Sequence, residues 1–281
     1  MDLSSLPGPD DIAGYREHGF WISPVIVPDS VLDAAERGME RFYAGERDAE
    51  LDGLAAVGGW TPADGPGLRK NDYASLVVKE LADLVRHPAI AGCAARLAGA
   101  PTIRLWHDQL LYKPVDRPGL AANVGWHTDR QYWQSCGSDE MLTAWVAFHD
   151  VDRAGGSVSF LDGSHRWDVD GLDFFSQDLD ALRGRIAAQG FEATVRPTTM
   201  RRGHVSFHHC RTVHGSGPNH GAAPRRSIAI HLQPGDNRWR RHDGPDGRPA
   251  RHGNDLLVRR VDGVPDYTDP RICPRLWPPR P

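Results

Sequence analysis

The sequence predicts a mainly β fold, a sandwich or barrel, with α-helices flanking it. After residue 100, short apolar and β-branched segments recur between turns rich in glycine and aspartate. Helical spacing of apolar residues is concentrated in the first hundred residues. The length of 281 residues, with 40% hydrophobic and 25% charged residues, suits a single globular domain.

The N-terminal part is predicted to be helical, except for one strand and one loop. A short helix is expected over residues 11–19, followed by a strand-like segment over 20–27 whose proline favours the edge of a sheet. N-cap residues precede a second helix, over 31–43. Residues 45–70, rich in Gly, Asp and Pro, predict a loop. Apolar spacing over 81–98, interrupted by a proline, predicts two short helices.

From residue 101 the pattern predicts strands. Over 103–111, odd positions are expected on one face of a strand and even positions on the other. The further strands are predicted at 142–148, 157–161, 204–207 and 227–232. After Pro234 the chain is polar and proline-rich, which predicts a partly ordered extension rather than a domain.

Composition argues against several functional classes. The formal net charge of −4 and the pI of about 6.4 give no indication of a nucleic-acid or membrane-surface partner. The N-terminus lacks the pattern of a signal peptide, and no apolar run is long enough to span a bilayer. The four cysteines form no C-x-x-C pair, so a disulfide framework is not expected. The sequence predicts a soluble, cytoplasmic protein.

A candidate metal site lies at His127-Thr128-Asp129. On a strand, positions i and i+2 share a face, so this histidine and aspartate could chelate one ion. Such a triplet is expected roughly once by chance here, so a surface pair in a polar loop is an equal alternative. Two later residues favour the metal site: His214, directly after a strand-like segment, and Arg225, which opens an alternating apolar segment.

These residue types point to iron chemistry. Two imidazoles and one carboxylate form the facial set of iron(II) oxygenases, which leaves coordination positions for a chelating cosubstrate and for dioxygen. A buried arginine is suited to pair with the distal carboxylate of a dicarboxylate ligand. The pattern therefore predicts an iron(II) site with an anionic cosubstrate.

The chain resembles the phytanoyl-CoA dioxygenase family of iron(II)- and 2-oxoglutarate-dependent oxygenases over roughly residues 11–235. The matching segments, in order, are Leu105–Pro114, Trp126–Trp133, Thr143–Asp150, Gly155–His165 and His214–Arg226. The resemblance implies a double-stranded β-helix (a cupin-like jelly roll). It implies a single oxygenase domain over 1–281, with a helical part at about 1–100, the jelly-roll core at about 101–235 and the polar extension at about 236–281.

The resemblance also implies roles for individual residues. The iron ligands would be His127, Asp129 and His214. The residues expected around 2-oxoglutarate are Arg225, with Arg226 as the alternative one position on, and Ser216, Trp145 and Gln109. Halogenating relatives carry a small residue in place of the carboxylate, so Asp129 favours hydroxylation or a related oxidation. The implied cofactors are Fe(II), 2-oxoglutarate and dioxygen.

Other conspicuous side chains have competing interpretations. Trp126, Tyr132 and Trp133 could line a substrate pocket or simply pack the mouth of the barrel. The remaining residues are expected to be structural or solvated, with His208 favoured among them as a pocket residue: His107, His149, His165, His204, His208, His209, Lys113 and Arg238–Arg241.

The predicted function is oxidation of a small organic molecule, plausibly a bacterial natural-product intermediate. Two alternatives stay open: a metal-dependent barrel isomerase or ring-cleaving dioxygenase that does not use 2-oxoglutarate, and a non-catalytic binding barrel. No motif selects a substrate, a carrier-bound form of it, an oligomeric state, or hydroxylation over desaturation, epoxidation or cyclisation.

Overall fold

The computed structural model describes residues 5–120, 122–167, 179–244 and 247–279, so both ends of the predicted domain, residues 1–4 and 280–281, lie outside it. The fold is mixed α/β and rich in antiparallel sheet. The helices are α1 (Pro9–His18), α2 (Asp29–Tyr43), α3 (Leu54–Val57), α4 (Lys79–Val85), α5 (Pro88–Leu97), α6 (Leu179–Ala187) and α7 (Gly253–Leu257).

The strands form two larger antiparallel sheets and one small pair. Their bounds are β1 (Phe20–Ile22), β2 (Arg69–Asp72), β3 (Ile103–Lys113), β4 (Val124–His127), β5 (Leu142–Ala147), β6 (Ser159–Leu161), β7 (Val195–Pro197), β8 (Val205–His209), β9 (His214–Ser216), β10 (Arg225–Pro234), β11 (Arg260–Val261), β12 (Val264–Pro265) and β13 (Arg275–Trp277). The large sheet has the order β1-β8-β5-β10-β3-β13, with β2 also paired to β3. The second sheet has the order β4-β9-β6-β7.

The helical N-terminal part follows the sequence prediction closely. Helix α1 ends at Gly19, whose φ of 80° lies in the left-handed region that favours glycine. The proline at residue 88 separates α4 from α5, as the interrupted pattern predicted. Two details differ. The strand-like segment shortens to β1 at the sheet edge, and the predicted loop over 45–70 contains α3 and the start of β2.

Alternating residues of the central strands separate the core from a cavity. Ala144 on β5 and Ile228 and Ile230 on β10 pack in the core formed with the N-terminal helices. The alternate positions of the same two strands, including Thr143 on β5 and Ala229 on β10, line a cavity on the opposite face of the large sheet. The second sheet closes this cavity from the other side, so both sheets contribute to the site.

The strict alternation predicted for residues 103–111 is wrong at one position. Leu105 lies in the helix-side core, whereas His107, two residues on, lines the cavity. The pairing of β3 with β10 shifts here, because Leu105 and His107 pair with the consecutive residues Leu232 and His231. Trp106 is therefore an extra residue, a bulge that reverses the faces on either side of it.

The segment after Pro234 is packed more extensively than its polar composition predicts. Strand β13 pairs with β3 at the edge of the large sheet. Leu257, Tyr267 and Ile272 are buried in one cluster with Trp106. A few apolar residues thus anchor a segment that is otherwise polar.

Tyr267 links this segment to the rest of the fold. Its hydroxyl donates to Asp255 Oδ1 at 2.6 Å and lies 2.8 Å from Ser135 Oγ, and all three residues are buried. We expect Tyr267→Phe to lower the free energy of unfolding by about 1–3 kcal/mol, since it leaves buried polar groups without their partner. Chemical denaturation measures the change. The control Val264→Ala, at an exposed position, should change it by less than about 0.5 kcal/mol, and an equal effect of the two variants would contradict this role.

Among the described residues, no helix is both long and apolar enough to cross a membrane.

Candidate active site

Three of the predicted residues meet where β4 and β9 pair. His127, the last residue of β4, lies directly opposite His214, the first residue of β9. Asp129 follows in the first position of a short 3-10 turn. Their possible ligand atoms all lie within 4.8 Å of one another. The expectation that His127 and Asp129 share one strand is wrong, because the strand ends at His127. The 3-10 turn that follows places the carboxylate of Asp129 beside the two imidazoles.

Local backbone features set this arrangement. The pairing of β4 with β9 contains an extra residue on β4 between Val124 and His127. A Cβ on Gly215 would lie 3.1 Å from the Val124 carbonyl oxygen, so the strands approach this closely because residue 215 is glycine. The turn after His127 is held by the Arg130 amide, which donates to the Cys210 carbonyl at 2.9 Å.

Hydrogen bonds fix the tautomers of the two histidines. His127 Nδ1 lies 2.7 Å from the Gly125 carbonyl oxygen, and His214 Nδ1 lies 2.9 Å from that of Thr212. A carbonyl can only accept, so each Nδ1 carries the proton and each Nε2 keeps a free lone pair. Burial lowers the pKa of both imidazoles to about 4, so both are neutral at physiological pH. Neutral imidazoles with an oriented Nε2 are suited to bind a metal ion.

Asp129 provides a negatively charged oxygen beside them. Burial alone would raise the pKa of its carboxyl group, but the surrounding imidazoles, that of His214 foremost, hold it well below the ordinary value. Thr143 Oγ1 donates to Oδ2 at 2.6 Å, and His208 Nε2 lies 3.2 Å from the same oxygen. Oδ1 faces His214 Nε2 at 3.8 Å. The carboxylate is therefore oriented, with Oδ1 available to a metal ion.

A buried arginine lies in the same cavity. Arg225, the first residue of β10, is 2% exposed, and its guanidinium lies 5.2 Å from the centre of the Trp145 ring. It donates to the Gly156 carbonyl, while its Nε has no hydrogen-bond partner within the described part of the chain. Burial lowers the pKa of Arg225 to about 10, which leaves it charged. Arg226 faces the opposite side of the sheet, where its Nη1 lies 3.1 Å from Glu36.

The other residues predicted around the cosubstrate also line this cavity, namely Ser216, Trp145 and Gln109. Ser216 Oγ accepts a hydrogen bond from Lys113 Nζ at 2.7 Å. Gln109 Nε2 donates to Asp72 Oδ1 at 2.9 Å. The structure therefore brings all four residues predicted around the cosubstrate, Arg225 included, to the lining of one cavity.

The position of Lys113 was not predicted from the sequence. This lysine was expected to be structural, yet its side chain is fully buried and donates a hydrogen bond to Ser216. Its backbone lies opposite that of Arg225 in the pairing of β3 with β10. Burial, together with the charge of Arg225, lowers the pKa of Lys113 to about 6. The alternation of side chains along β3 could have predicted this position, because Lys113 lies an even number of residues after Gln109 and therefore on the same face.

The predicted aromatic residues separate into two groups. Trp133, which is buried, and Tyr132, which is 46% exposed, line the cavity. Trp126 packs instead against the cluster that contains Leu161 and Val213, so the structure does not bring it to the cavity. Trp126 and His127 are adjacent at the end of β4, and adjacent residues of a strand face opposite sides. Because His127 faces the cavity, Trp126 faces away from it.

The remaining histidines also differ from one another. His208 lines the cavity, as favoured from the sequence. His209 faces outward near His165, and His204 Nδ1 lies 2.8 Å from the Ser23 carbonyl oxygen. His107 was expected to be structural, but it lines the cavity, and no described residue hydrogen-bonds to either of its ring nitrogens.

The cavity has a volume of about 560 Å³. Its lining runs along β10 from Arg225 to His231, includes His127, Asp129 and His214, and is completed partly by the C-terminal segment with His252. A site of this size can hold a dicarboxylate together with a second small molecule. The arrangement can therefore hold a metal ion and an anion side by side.

Comparisons with known proteins give a consistent result. The phytanoyl-CoA dioxygenase family model matches residues 15–227. A probable alpha-ketoglutarate-dependent hypophosphite dioxygenase from Stutzerimonas stutzeri is 29% identical over 168 residues, covering 58% of this chain and 56% of that protein. The peroxisomal phytanoyl-CoA dioxygenase of Bos taurus is 24% identical over 241 residues, covering 78% and 66% respectively. The chain thus spans between about half and two thirds of the length of these relatives.

Among solved structures, the non-heme alpha ketoglutarate dependent epimerase SnoN from nogalamycin biosynthesis is similar over nearly the whole chain. The TM-score is 0.71 at 25% identity, and the match covers 95% of this chain and 97% of that chain.

Proposed function

The chain belongs to the phytanoyl-CoA dioxygenase family, and from this premise we propose that it is an iron(II)- and 2-oxoglutarate-dependent dioxygenase that hydroxylates, or otherwise oxidises, a small organic molecule. One observation carries the proposal. The buried set His127, Asp129 and His214 shares a single cavity with the buried guanidinium of Arg225. A metal site beside an anion site is what a reaction with a chelating dicarboxylate requires.

The residues present fit an iron(II) ion. Each of the two imidazoles offers an Nε2 lone pair, and Asp129 offers Oδ1, so three protein ligands would be supplied and coordination positions would remain for 2-oxoglutarate and dioxygen. A bound iron(II) ion would supply the redox chemistry that couples decarboxylation of 2-oxoglutarate to oxidation of the substrate. The protein's own hydrogen bonds orient the three ligand side chains.

For 2-oxoglutarate we propose an anchor at the Arg225 end of the cavity. The guanidinium would pair with the distal carboxylate of 2-oxoglutarate. Its Nε finds no acceptor among the described residues, and buried donors are usually paired, which supports a ligand oxygen at this place. Ser216 would add a hydroxyl, which Lys113 holds in place. Trp145 and Gln109 would form the walls around the carbon chain.

Several finer features belong to the same proposal. We infer that the two sheets form a double-stranded β-helix, supported by their antiparallel pairing on either side of one cavity, and that the chain is one oxygenase domain in the cytoplasm. The presence of Asp129 favours hydroxylation over halogenation. The likeness to SnoN supports a natural-product intermediate as the substrate.

An oxygen-consumption assay tests the proposal. We expect the purified chain with iron(II) to consume oxygen and form succinate when 2-oxoglutarate is added, and to stop when the metal is chelated. Oxygen consumption that is independent of 2-oxoglutarate would instead favour a ring-cleaving dioxygenase. The burial of Arg225 beside the metal site argues against that alternative.

Thr143 is expected to tune metal affinity through Asp129. Thr143→Val removes the 2.6 Å hydrogen bond to Oδ2 and leaves the carboxylate free to rotate. We expect iron(II) affinity, measured by anaerobic calorimetry, to fall roughly 10- to 100-fold. The exposed Thr199→Val is the matched control and should bind iron(II) like the unsubstituted protein. Equal affinities in all three proteins would contradict this role.

A further inference from the structure

Three histidines meet at the end of the cavity farthest from Arg225. His107 on β3, His231 on β10 and His252, which precedes α7, all line it, and we call them the histidine wall. The ring centre of His107 lies 4.3 Å from that of His231 and 4.8 Å from that of His252. None of these residues belongs to the metal or cosubstrate sites proposed above.

Two members of the histidine wall have tautomers set by their neighbours. Thr143 gives its only hydroxyl proton to Asp129, so it must accept from His231 Nδ1, 2.7 Å away. His231 Nε2 is then an acceptor. The backbone N–H of Asn254 donates to His252 Nδ1 at 3.2 Å. Nδ1 is therefore an acceptor, and the proton of neutral His252 lies on Nε2, which is a donor.

His107, the third member of the histidine wall, has ring nitrogens whose hydrogen-bonding capacity is not satisfied by the described residues. It is 4% exposed, and among the residues that the structure describes neither of its ring nitrogens finds a hydrogen-bond partner. A neutral imidazole has one donor and one acceptor, and buried polar atoms of folded proteins are almost always paired. The observation points to a ligand that supplies the missing partner.

Two members of the histidine wall, His107 and His252, carry no charge. Burial holds the pKa of both imidazoles well below the ordinary value. The nearby ionic side chains of Lys70 and Arg251 are exposed at the rim of the cavity, and Asp72 accepts a hydrogen bond from Gln109. A carboxylate or an ammonium group would gain no opposite charge from these two imidazoles.

We propose that the histidine wall, His107 beside His231 and His252, binds the hydroxyl group of a neutral cyclic substrate, an alcohol or a phenol. This inference rests on the proposed function, whose substrate class it names. A hydroxyl group donates and accepts at once, so it matches a wall that presents donors and acceptors together.

The neighbouring rings favour a flat or cyclic skeleton behind that hydroxyl. Trp133 meets His231 edge-on with ring centres 5.0 Å apart, and Tyr73 lies 5.7 Å from His107. Aromatic walls of this kind hold rings by edge and face contacts. His231 Nδ1 is 3.8 Å from Asp129 Oδ2, so a ring held here lies next to the proposed metal site.

Equilibrium dialysis with three probes of one skeleton tests the proposal: 2-naphthol, 2-naphthoate and 2-methylnaphthalene. The full chain is used anaerobically with iron(II) and 2-oxoglutarate, and again without either. We expect 2-naphthol to bind about tenfold or more tighter than the other two probes, in line with the cost of leaving buried polar groups unpaired. Equal or tighter binding of 2-naphthoate, or no binding of 2-naphthol at millimolar concentration, would overturn the proposal.

Variants then assign the preference to the histidine wall. His107→Leu should bring 2-naphthol and 2-methylnaphthalene within about twofold of each other, because the polar partner is lost. His107→Gln, which keeps a donor and an acceptor, should restore part of the preference. His220→Leu, exposed on a loop, is the matched control and should retain all of it.

If His107→Leu does not fold, His252→Leu at a half-buried position takes its place with the same expectation. A preference that survives these substitutions would overturn the proposal. Because the probes bind without turnover, a failed oxygen-consumption assay and a failed probe preference are separate results.

Discussion

Replacing His214 with alanine is expected to abolish the 2-oxoglutarate-dependent formation of succinate. The variant loses one of the three proposed metal ligands and leaves His127 and Asp129 as an incomplete pair. We expect the rate to fall by at least about a thousandfold, which corresponds to roughly 4 kcal/mol of lost stabilisation. Succinate release, together with the iron retained after anaerobic dialysis, measures the effect.

The control for this variant is His242→Ala, at an exposed position outside the cavity. It should retain both iron and activity, and a preserved circular dichroism spectrum in both variants separates loss of metal from loss of fold. Substantial succinate formation by His214→Ala would contradict the assignment of the metal ligands.

Replacing Arg225 with alanine is expected to raise the 2-oxoglutarate requirement. The guanidinium is the buried cation proposed to pair with the distal carboxylate, and charge-assisted hydrogen bonds contribute about 1.5–3 kcal/mol each. We expect the KM for 2-oxoglutarate to rise about 100-fold, equivalent to roughly 2.8 kcal/mol. Succinate formation over a range of 2-oxoglutarate concentrations measures the change.

Arg226→Ala is the matched control, because this neighbouring side chain faces Glu36 on the other side of the sheet. Its KM should stay within about twofold of the original value, as expected for a surface ion pair. Arg225→Lys keeps the charge but loses the planar fork, and it should fall between the two. A larger effect at Arg226 than at Arg225 would reassign the anchor.

The sequence was informative about the candidate metal site, because both the residue types and their order along the chain point to it. His127-Thr128-Asp129 alone was expected about once by chance. His214 and Arg225 added a second imidazole and a cation at positions that open strands, and the structure brings all four into one cavity. Helix boundaries were predictable where a glycine or a proline sets them, as at Gly19 and Pro88. The expected N-cap of the second helix was wrong, because α2 begins at Asp29 after Pro28 and has no side-chain cap.

What the sequence did not reveal depends on tertiary packing. The bulge at Trp106 reverses the faces of β3, and a strict period of two cannot represent an extra residue. The burial of Lys113 beside Arg225 depends on strand pairing across the sheet. His252 reaches the cavity only because the polar C-terminal segment folds back over β3.

Anaerobic titration of the full chain with iron(II), and then with 2-oxoglutarate, measures whether His127, Asp129 and His214 form a metal site beside the anion site. We predict that one iron(II) ion binds per chain and that 2-oxoglutarate binds tightly only after the metal. Asp129→Ala should remove both steps. Tight binding of 2-oxoglutarate without metal, or undiminished iron(II) binding in Asp129→Ala, would contradict a site built from His127, Asp129 and His214.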